Sequence, residues 1–254
     1  MGSLLNRLFA HPLTWGLSVD DPRTTALRRK IIQEKPFLTA LYQEWYSCLL
    51  SRVPCGGLIL ELGSGAGFLR DMASEVITSE VFPTPGVMLV ADGRRLPFPC
   101  AGLDAILMTD VFHHIPDVAA FLAEAARCVR PGGRMVMIEP WLTPWSQWVY
   151  RNLHSEPFEP TAGWEIPSSG PLSGANGALP WIVFQRDLCH LQEASPDWRL
   201  VVIEPMMPFS YLLSGGVSLR SSMPGWSYRL CRTFEDRLRA SRWAMFALIE
   251  LERR

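Results

Sequence analysis

Three glycines at alternate positions behind an acidic residue carry the strongest chemical signal in this chain. The run Leu58-Ile59-Leu60-Glu61-Leu62 has the length and apolarity of a buried parallel strand, and Gly63, Gly65 and Gly67 break it. Glycines at that spacing suit a turn in which backbone must approach a ligand closely, which is a nucleotide-binding geometry. The spacing argues against a dinucleotide: G-x-G-x-x-G needs its third glycine one residue later, where this chain has Phe68. Glu80 lies seventeen residues beyond Gly63, near the roughly 20 expected between a glycine turn and the acid that accepts from two vicinal ribose hydroxyls. His113 and His114 follow the apolar run Leu103–Thr109 at its C-terminal end, where open α/β sheets bind their ligands. An unperturbed imidazole titrates near pH 6.5, so either histidine can take a proton from a hydroxyl at neutral pH; a purely structural role for each is the competing reading.

The pattern Glu61-x-Gly63-x-Gly65-x-Gly67 resembles motif I of the class I S-adenosylmethionine (SAM) dependent methyltransferases. Further elements of that family follow in order. Asp92-Gly93-Arg94-Arg95-Leu96-Pro97-Phe98 is similar to its D-A-x-x-L-P-F element, and the paired histidines match a frequent x-x-H-H. Val129-Arg130-Pro131-Gly132-Gly133-Arg134 is similar to its L-R-P-G-G-R, so the resemblance covers residues 58–139. It implies SAM as cofactor, with Glu61 near the amino-acid end and the backbone of Gly63, Ser64, Gly65 and Gly67 along the methionine and ribose. It also implies that Asp92 accepts from the adenine amino group, that the Gly93 N–H meets the ring, and that Thr109 ends the fourth strand beside the cofactor. Glu80 is followed by Pro83 and Pro85, so the helix usual at that point is expected to be missing.

The elements that must position these residues are those of an α/β fold, a doubly wound, mostly parallel seven-stranded Rossmann-like methyltransferase sheet with an N-terminal helical extension and lid insertions. Strands are expected at 58–62, 76–80, 87–90, 103–109, 134–139, 198–204 and 245–251, the last antiparallel, although a continuing helix fits the period of 245–251 nearly as well. Residues 1–56 read as a helical cap: one helix from Thr24 or Thr25 to about Lys35, and a second from Pro36 in which Leu38, Leu41, Tyr42, Trp45 and Leu49 recur at helical spacing. Leu4, Leu5, Leu8 and Phe9 form a further apolar face, expected to pack on the domain rather than on lipid. Residues 57–139 read as the SAM-binding core, within one domain spanning 1–254. Pro116 opens a helix carrying Val118, Phe121, Leu122 and Ala125 on one face. Helices are also expected near 144–153, at 179–194 and near 226–240. The segments 140–180 and 205–225 read as substrate lids; the first carries Trp141, Trp145, Trp148, Trp164 and Trp181 among many Pro, Gly and Ser residues. Glu139, Trp141, Trp145 and His154 are the expected acceptor contacts, with packing an equal reading for the aromatics.

Composition narrows the partners. The 254 residues have a formal net charge of −1 with scattered Lys and Arg, which disfavours a nucleic-acid substrate. Six cysteines lack C-x-x-C spacing and read as reduced thiols, and no metal is expected. No run of 18 apolar residues and no leader-like N-terminus is visible, so a cytoplasmic location is expected. The sequence therefore predicts a SAM-dependent methyltransferase acting on a small, hydrophobic or lipid-like acceptor, with O-methylation favoured. A quinone or lipid C-methyltransferase and a non-catalytic SAM-binding regulatory protein are the alternatives.

Overall fold

A computed structural model describes residues 22–65, 68–154, 156–166, 174–217, 219 and 223–254. Gly67 and the apolar face at Leu4–Phe9 lie outside the described residues. Seven strands form one sheet: β1 Ile59–Glu61, β2 Ile77–Glu80, β3 Leu89–Val90, β4 Leu103–Thr109, β5 Val129–Pro140, β6 Trp198–Met206 and β7 Phe246–Arg253. Their order is β3-β2-β1-β4-β5-β7-β6. β7 runs antiparallel to both neighbours, β5 and β6, while the remaining pairs are parallel.

The register explains where the site lies. Glu61 pairs with Leu107 on one side and Thr78 on the other, so β1, β2 and β4 end close together, at Glu61, Glu80 and Thr109. Strand order reverses between β1 and β4, and such a switch point opens a crevice at the carboxyl ends. β4 is apolar on both faces because both are covered: Ile106 and Met108 pack with Phe121, Leu122 and Phe184, whereas Ala105 and Leu107 pack with Leu41, Trp45 and Phe246.

The flanking helices follow from local signals. Helix Pro36–Leu50 starts with proline at its first turn and buries Phe37, Leu38, Leu41, Trp45 and Leu49. Asp117 caps helix Val118–Cys128 by accepting from the Ala120 N–H, and Thr143 with Ser146 forms a capping box for helix Pro144–Leu153. Helix Pro22–Glu34 precedes these. No helix forms between β2 and β3, as Pro83 and Pro85 require.

Three elements differ from the sequence expectation. β5 begins at Val129 rather than Arg134, because the chain leaves helix Val118–Cys128 directly into pairing with Leu103 and makes an irregular excursion before Arg134 pairs with Ala105. The helix expected over 179–194 is broken into Leu179–Trp181, a π-turn Ile182–Arg186 and Leu188–Ala194. There the Asp187 N–H reaches five residues back to the Ile182 carbonyl at 2.8 Å, and the Asp187 carboxylate accepts from Trp164 Nε1 at 3.1 Å. The helix expected near 226–240 is a 3-10 turn and helix Tyr228–Glu235, with a separate short helix Ala240–Trp243. Insertion 205–225 contains helix Ser210–Ser214 and is fastened to the N-terminal helices by buried Lys35, whose Nζ donates to the carbonyls of Gly216 and Leu219.

Candidate active site

A cavity of about 430 Å³ opens over the carboxyl ends of β1, β2 and β4. That volume lies in the ~300–1,000 Å³ range of small-molecule sites. The glycine turn forms one wall. Gly63 has φ +65°, and a Cβ there would lie 2.6 Å from Val111 Cγ2, so this position demands glycine for both conformation and space. Gly65 has φ +50°, and its N–H donates to Glu80 Oε1 at 2.5 Å, which ties the turn to the end of β2. Ser64 does not offer its hydroxyl to the cavity: Oγ donates to the Glu61 carbonyl at 3.1 Å and accepts from the Ser79 N–H at 2.9 Å. It clasps β1 to β2.

Glu61, Glu80, Asp92, Gly93 and Thr109 all line the cavity. Burial pushes the Glu61 carboxyl up to about 8, and among the described residues its Oε2 has no hydrogen-bond partner. Thr109 Oγ1 is likewise buried without a partner. Orphaned polar atoms of this kind cost free energy until something pairs with them, so both fit a polar ligand in the cavity. Burial also raises Glu80, against the hydrogen bonds it accepts from the Gly65 and Val81 N–H groups. Asp92 is held below the usual carboxylate range by Arg94, whose Nη2 lies 2.6 Å from Oδ2 and whose N–H donates to Oδ1.

The cavity is also lined by Asp110, His114, His154, Glu156, Tyr42 and Tyr211, and by Tyr46, which feels the charge of Glu61. The two adjacent histidines have different fates. His113 is fully buried and does not line the cavity. Its Nδ1 donates to Glu139 Oε2 at 2.8 Å and its Nε2 faces Glu156 Oε2 at 3.4 Å. Burial opposes charge on this imidazole, but Glu139, Glu156 and Asp110 outweigh it and push the ring well above the usual histidine range. Glu156, although burial works against its charge too, is held down to about 2 by His113. His114 faces the cavity, with Nδ1 on the Gly174 carbonyl at 3.1 Å; burial and the neighbouring His113 charge lower it to about 4. His113 is enclosed away from the cavity with Nδ1 on Glu139, whereas His114 lines the cavity and can accept a hydrogen bond there.

Glu139 is entirely buried and faces the backbone: Oε1 accepts from the N–H groups of Val111 and Phe112 at 2.8 and 2.7 Å. It positions the loop that carries Asp110 to His114. Trp141 is buried in the core, and Trp145 packs on Trp148 and Phe209 with its Nε1 donating to the Pro208 carbonyl. Neither tryptophan lines the cavity. Of the four expected acceptor contacts, His154 alone is brought there, its ring edge-on to Tyr150.

Sequence reasoning missed Asp110, Tyr42, Tyr46, Tyr211 and Glu156. Asp110 sits in the left-handed region at φ +61°, directly after β4, and burial raises its carboxyl to about 6. A non-glycine residue held at positive φ at a strand's carboxyl end signals a functional constraint, but φ is invisible in sequence. Tyr42 shares a helical stripe with core residues, which disguises it.

The methyltransferase-domain family model matches residues 60–137. A demethylmenaquinone methyltransferase of Tropheryma whipplei is 29% identical over 119 residues, covering 41% of this chain and 50% of that protein. A 27-O-demethylrifamycin SV methyltransferase of Amycolatopsis mediterranei is 39% identical over 54 residues, covering 21% of this chain and 20% of that protein. The chain thus spans about half the length of the first relative and about a fifth of the second. Among solved structures, geranyl diphosphate C-methyltransferase from Streptomyces coelicolor superposes with a TM-score of 0.53 at 14% identity, covering 89% of this chain and 83% of that one. With that strand order and the glycine turn at the switch point, residues 60–137 match the methyltransferase-domain family model, and the described chain shares the fold of geranyl diphosphate C-methyltransferase.

Proposed function

We propose that this chain transfers a methyl group from SAM to a hydroxyl of a small, apolar or planar acceptor. The observation that carries this reading is a single cavity with the glycine turn at one end and tyrosines with titratable groups at the other. Bound SAM supplies an electrophilic methyl group on a positively charged sulfur. Glu61 and the backbone of Gly63, Ser64 and Gly65, with Gly67 in the same loop, hold the amino-acid end. Glu80 takes the ribose hydroxyls with Oε2, which otherwise meets the Val81 N–H at 3.3 Å while Oε1 stays on Gly65, and Asp92 with the Gly93 N–H takes the adenine. Thr109 Oγ1 pairs with the cofactor from below.

At the acceptor end, Asp110 removes the hydroxyl proton as methyl transfer begins, and His114, whose Nδ1–H is held by the Gly174 carbonyl, orients the acceptor by accepting a hydrogen bond at Nε2. Glu139 and His113 hold the loop beneath them. Tyr42 and Tyr211 exclude water and give a planar acceptor its contact surface; an aromatic face near the sulfonium adds roughly 0.5–2 kcal/mol. Holding nucleophile and methyl aligned is the larger effect, up to roughly 7–11 kcal/mol. His154 and Glu156 border the acceptor from the segment 140–180, the proposed lid.

C-methylation of a quinol ring is the second reading, favoured by the name of the Tropheryma whipplei relative. Loss of a hydroxyl proton activates the ring carbon too, so the same residues serve both reactions. A screen of hydroxylated aromatics and lipids with SAM, read by mass and by the position of the new methyl, tests the proposal. An O-methyl product supports it, a ring C-methyl product establishes the second reading, and SAM binding without any product leaves a regulatory protein.

A further inference from the structure

Helix Tyr228–Glu235 presents an unusual outer face. Leu230 and Phe234, one turn apart on that helix, and Trp226 in the 3-10 turn that leads into it are 65%, 58% and 76% exposed. Single exposed apolar residues are ordinary, whereas three large ones together mark an interaction surface. The helix cannot roll to hide them, because its inner side is fixed. Tyr228 donates to Glu44 at 2.6 Å, Arg232 reaches Glu44 at 3.0 Å, and Glu235 accepts from Ser210 Oγ at 2.8 Å and from the N–H groups of Phe209 and Ser210.

The charge around that patch selects its partner. Arg229, Arg237, Arg239 and Arg242 are exposed, and among the described residues none of the four pairs with a carboxylate; the exposed Asp236 faces Arg232 at 3.6 Å. A chain whose net charge is −1 therefore carries a local positive field around exposed Trp, Leu and Phe side chains. Trp243, 38% exposed, closes the segment and packs on Trp145 beside half-exposed Trp148. Aromatic and aliphatic residues framed by arginines have the chemistry of an interfacial helix, which inserts its apolar side at headgroup depth while cations meet anionic lipid.

We propose that the outer face of residues 226–243 docks on an anionic lipid surface. Its position gives the docking a purpose. The inner side of this helix packs on Pro36–Leu50, which brings Tyr42 and Tyr46 to the cavity, and on the base of Ser210–Ser214, which brings Tyr211 there. The docked face is the outer layer of the wall whose inner layer lines the acceptor end. This inference stands on the surface alone and does not depend on the methyl-transfer reading.

Sedimentation of the full chain with vesicles, without SAM, tests it. Vesicles of phosphatidylglycerol and phosphatidylcholine are expected to carry the protein down, pure phosphatidylcholine vesicles far less, and high salt should weaken the binding. The triple variant Trp226→Ser/Leu230→Gln/Phe234→Ser should bind at least about tenfold more weakly, given three large side chains no longer buried in the interface. Its thermal melt and SAM affinity should match wild type. Arg239→Gln/Arg242→Gln, which leaves the apolar patch intact, should lose preference for the anionic vesicles. No binding by wild type, equal binding by the triple variant, or an unchanged lipid preference in the arginine variant overturns the proposal. So does light scattering that finds a dimer which the triple variant dissociates, since a second copy then occupies the face.

Discussion

Asp110 and His114 face the same cavity with opposite shifts, and the difference assigns their roles. A base must hold the proton it takes, and an imidazole lowered to about 4 holds one poorly, while a carboxyl raised to about 6 is closer to neutrality. Asp110 acts when ionised, so turnover should rise with pH through about 6 and level off above it. Asp110→Asn should lower turnover by about 10²–10⁴-fold and abolish that rise, with little change in SAM affinity. A pH–rate profile of both proteins checks this. Glu61 yields a second prediction at the same scale. With its carboxyl raised by burial to about 8, it is mostly protonated at pH 7, and pairing with a cofactor ammonium favours the ionised form. SAM binding should therefore release a proton below about pH 8, and the release should fade above it. Calorimetry at pH 7 in two buffers of different ionisation enthalpy measures the release, which Glu61→Gln should eliminate.

At the scale of elements, the contact between the glycine turn and the 110–114 loop joins the cofactor end of the cavity to the acceptor end. Gly63→Ala places a methyl group 2.6 Å from Val111 Cγ2 at φ +65°. The backbone strain alone is roughly 1–2 kcal/mol, and the clash adds to it. The variant should melt lower and bind SAM weakly, and Val111→Ala should restore part of the loss; a melting series of the two single variants and the double variant checks the coupling. Much of this architecture was legible. β4 was bounded correctly at Leu103–Thr109 because a fully buried strand is a continuous apolar run, and helix Pro144–Leu153 was found within the tryptophan-rich segment. The π-turn at Ile182–Arg186 was not, since its residues have ordinary helical patterning and tertiary contacts of Asp187 accompany the break. The sequence offers both paired histidines as bases, His114 first, with a structural role open for each. Only the fold shows that one points at Glu139 and the other into the cavity, because side-chain direction within a 3-10 turn has no sequence periodicity.

For the whole molecule, the cavity joins parts far apart in sequence: helices Pro22–Glu34 and Pro36–Leu50, the strand ends, the segment around His154 and the insertion around Tyr211. A ligand that fills it should stabilise all of them together. SAM at about 100 times its dissociation constant adds about 2.7 kcal/mol, which for a chain of this size raises Tm by roughly 5–10 °C. Differential scanning calorimetry with and without SAM checks the shift. The account rests most directly on what the glycine-turn end of this cavity holds. Isothermal titration with SAM measures that, in wild type and in Glu80→Ala and Asp92→Ala. Wild type should bind in the micromolar range and each variant should lose about 1–3 kcal/mol. No binding by wild type at high micromolar SAM, or unchanged affinity in both variants, would contradict it.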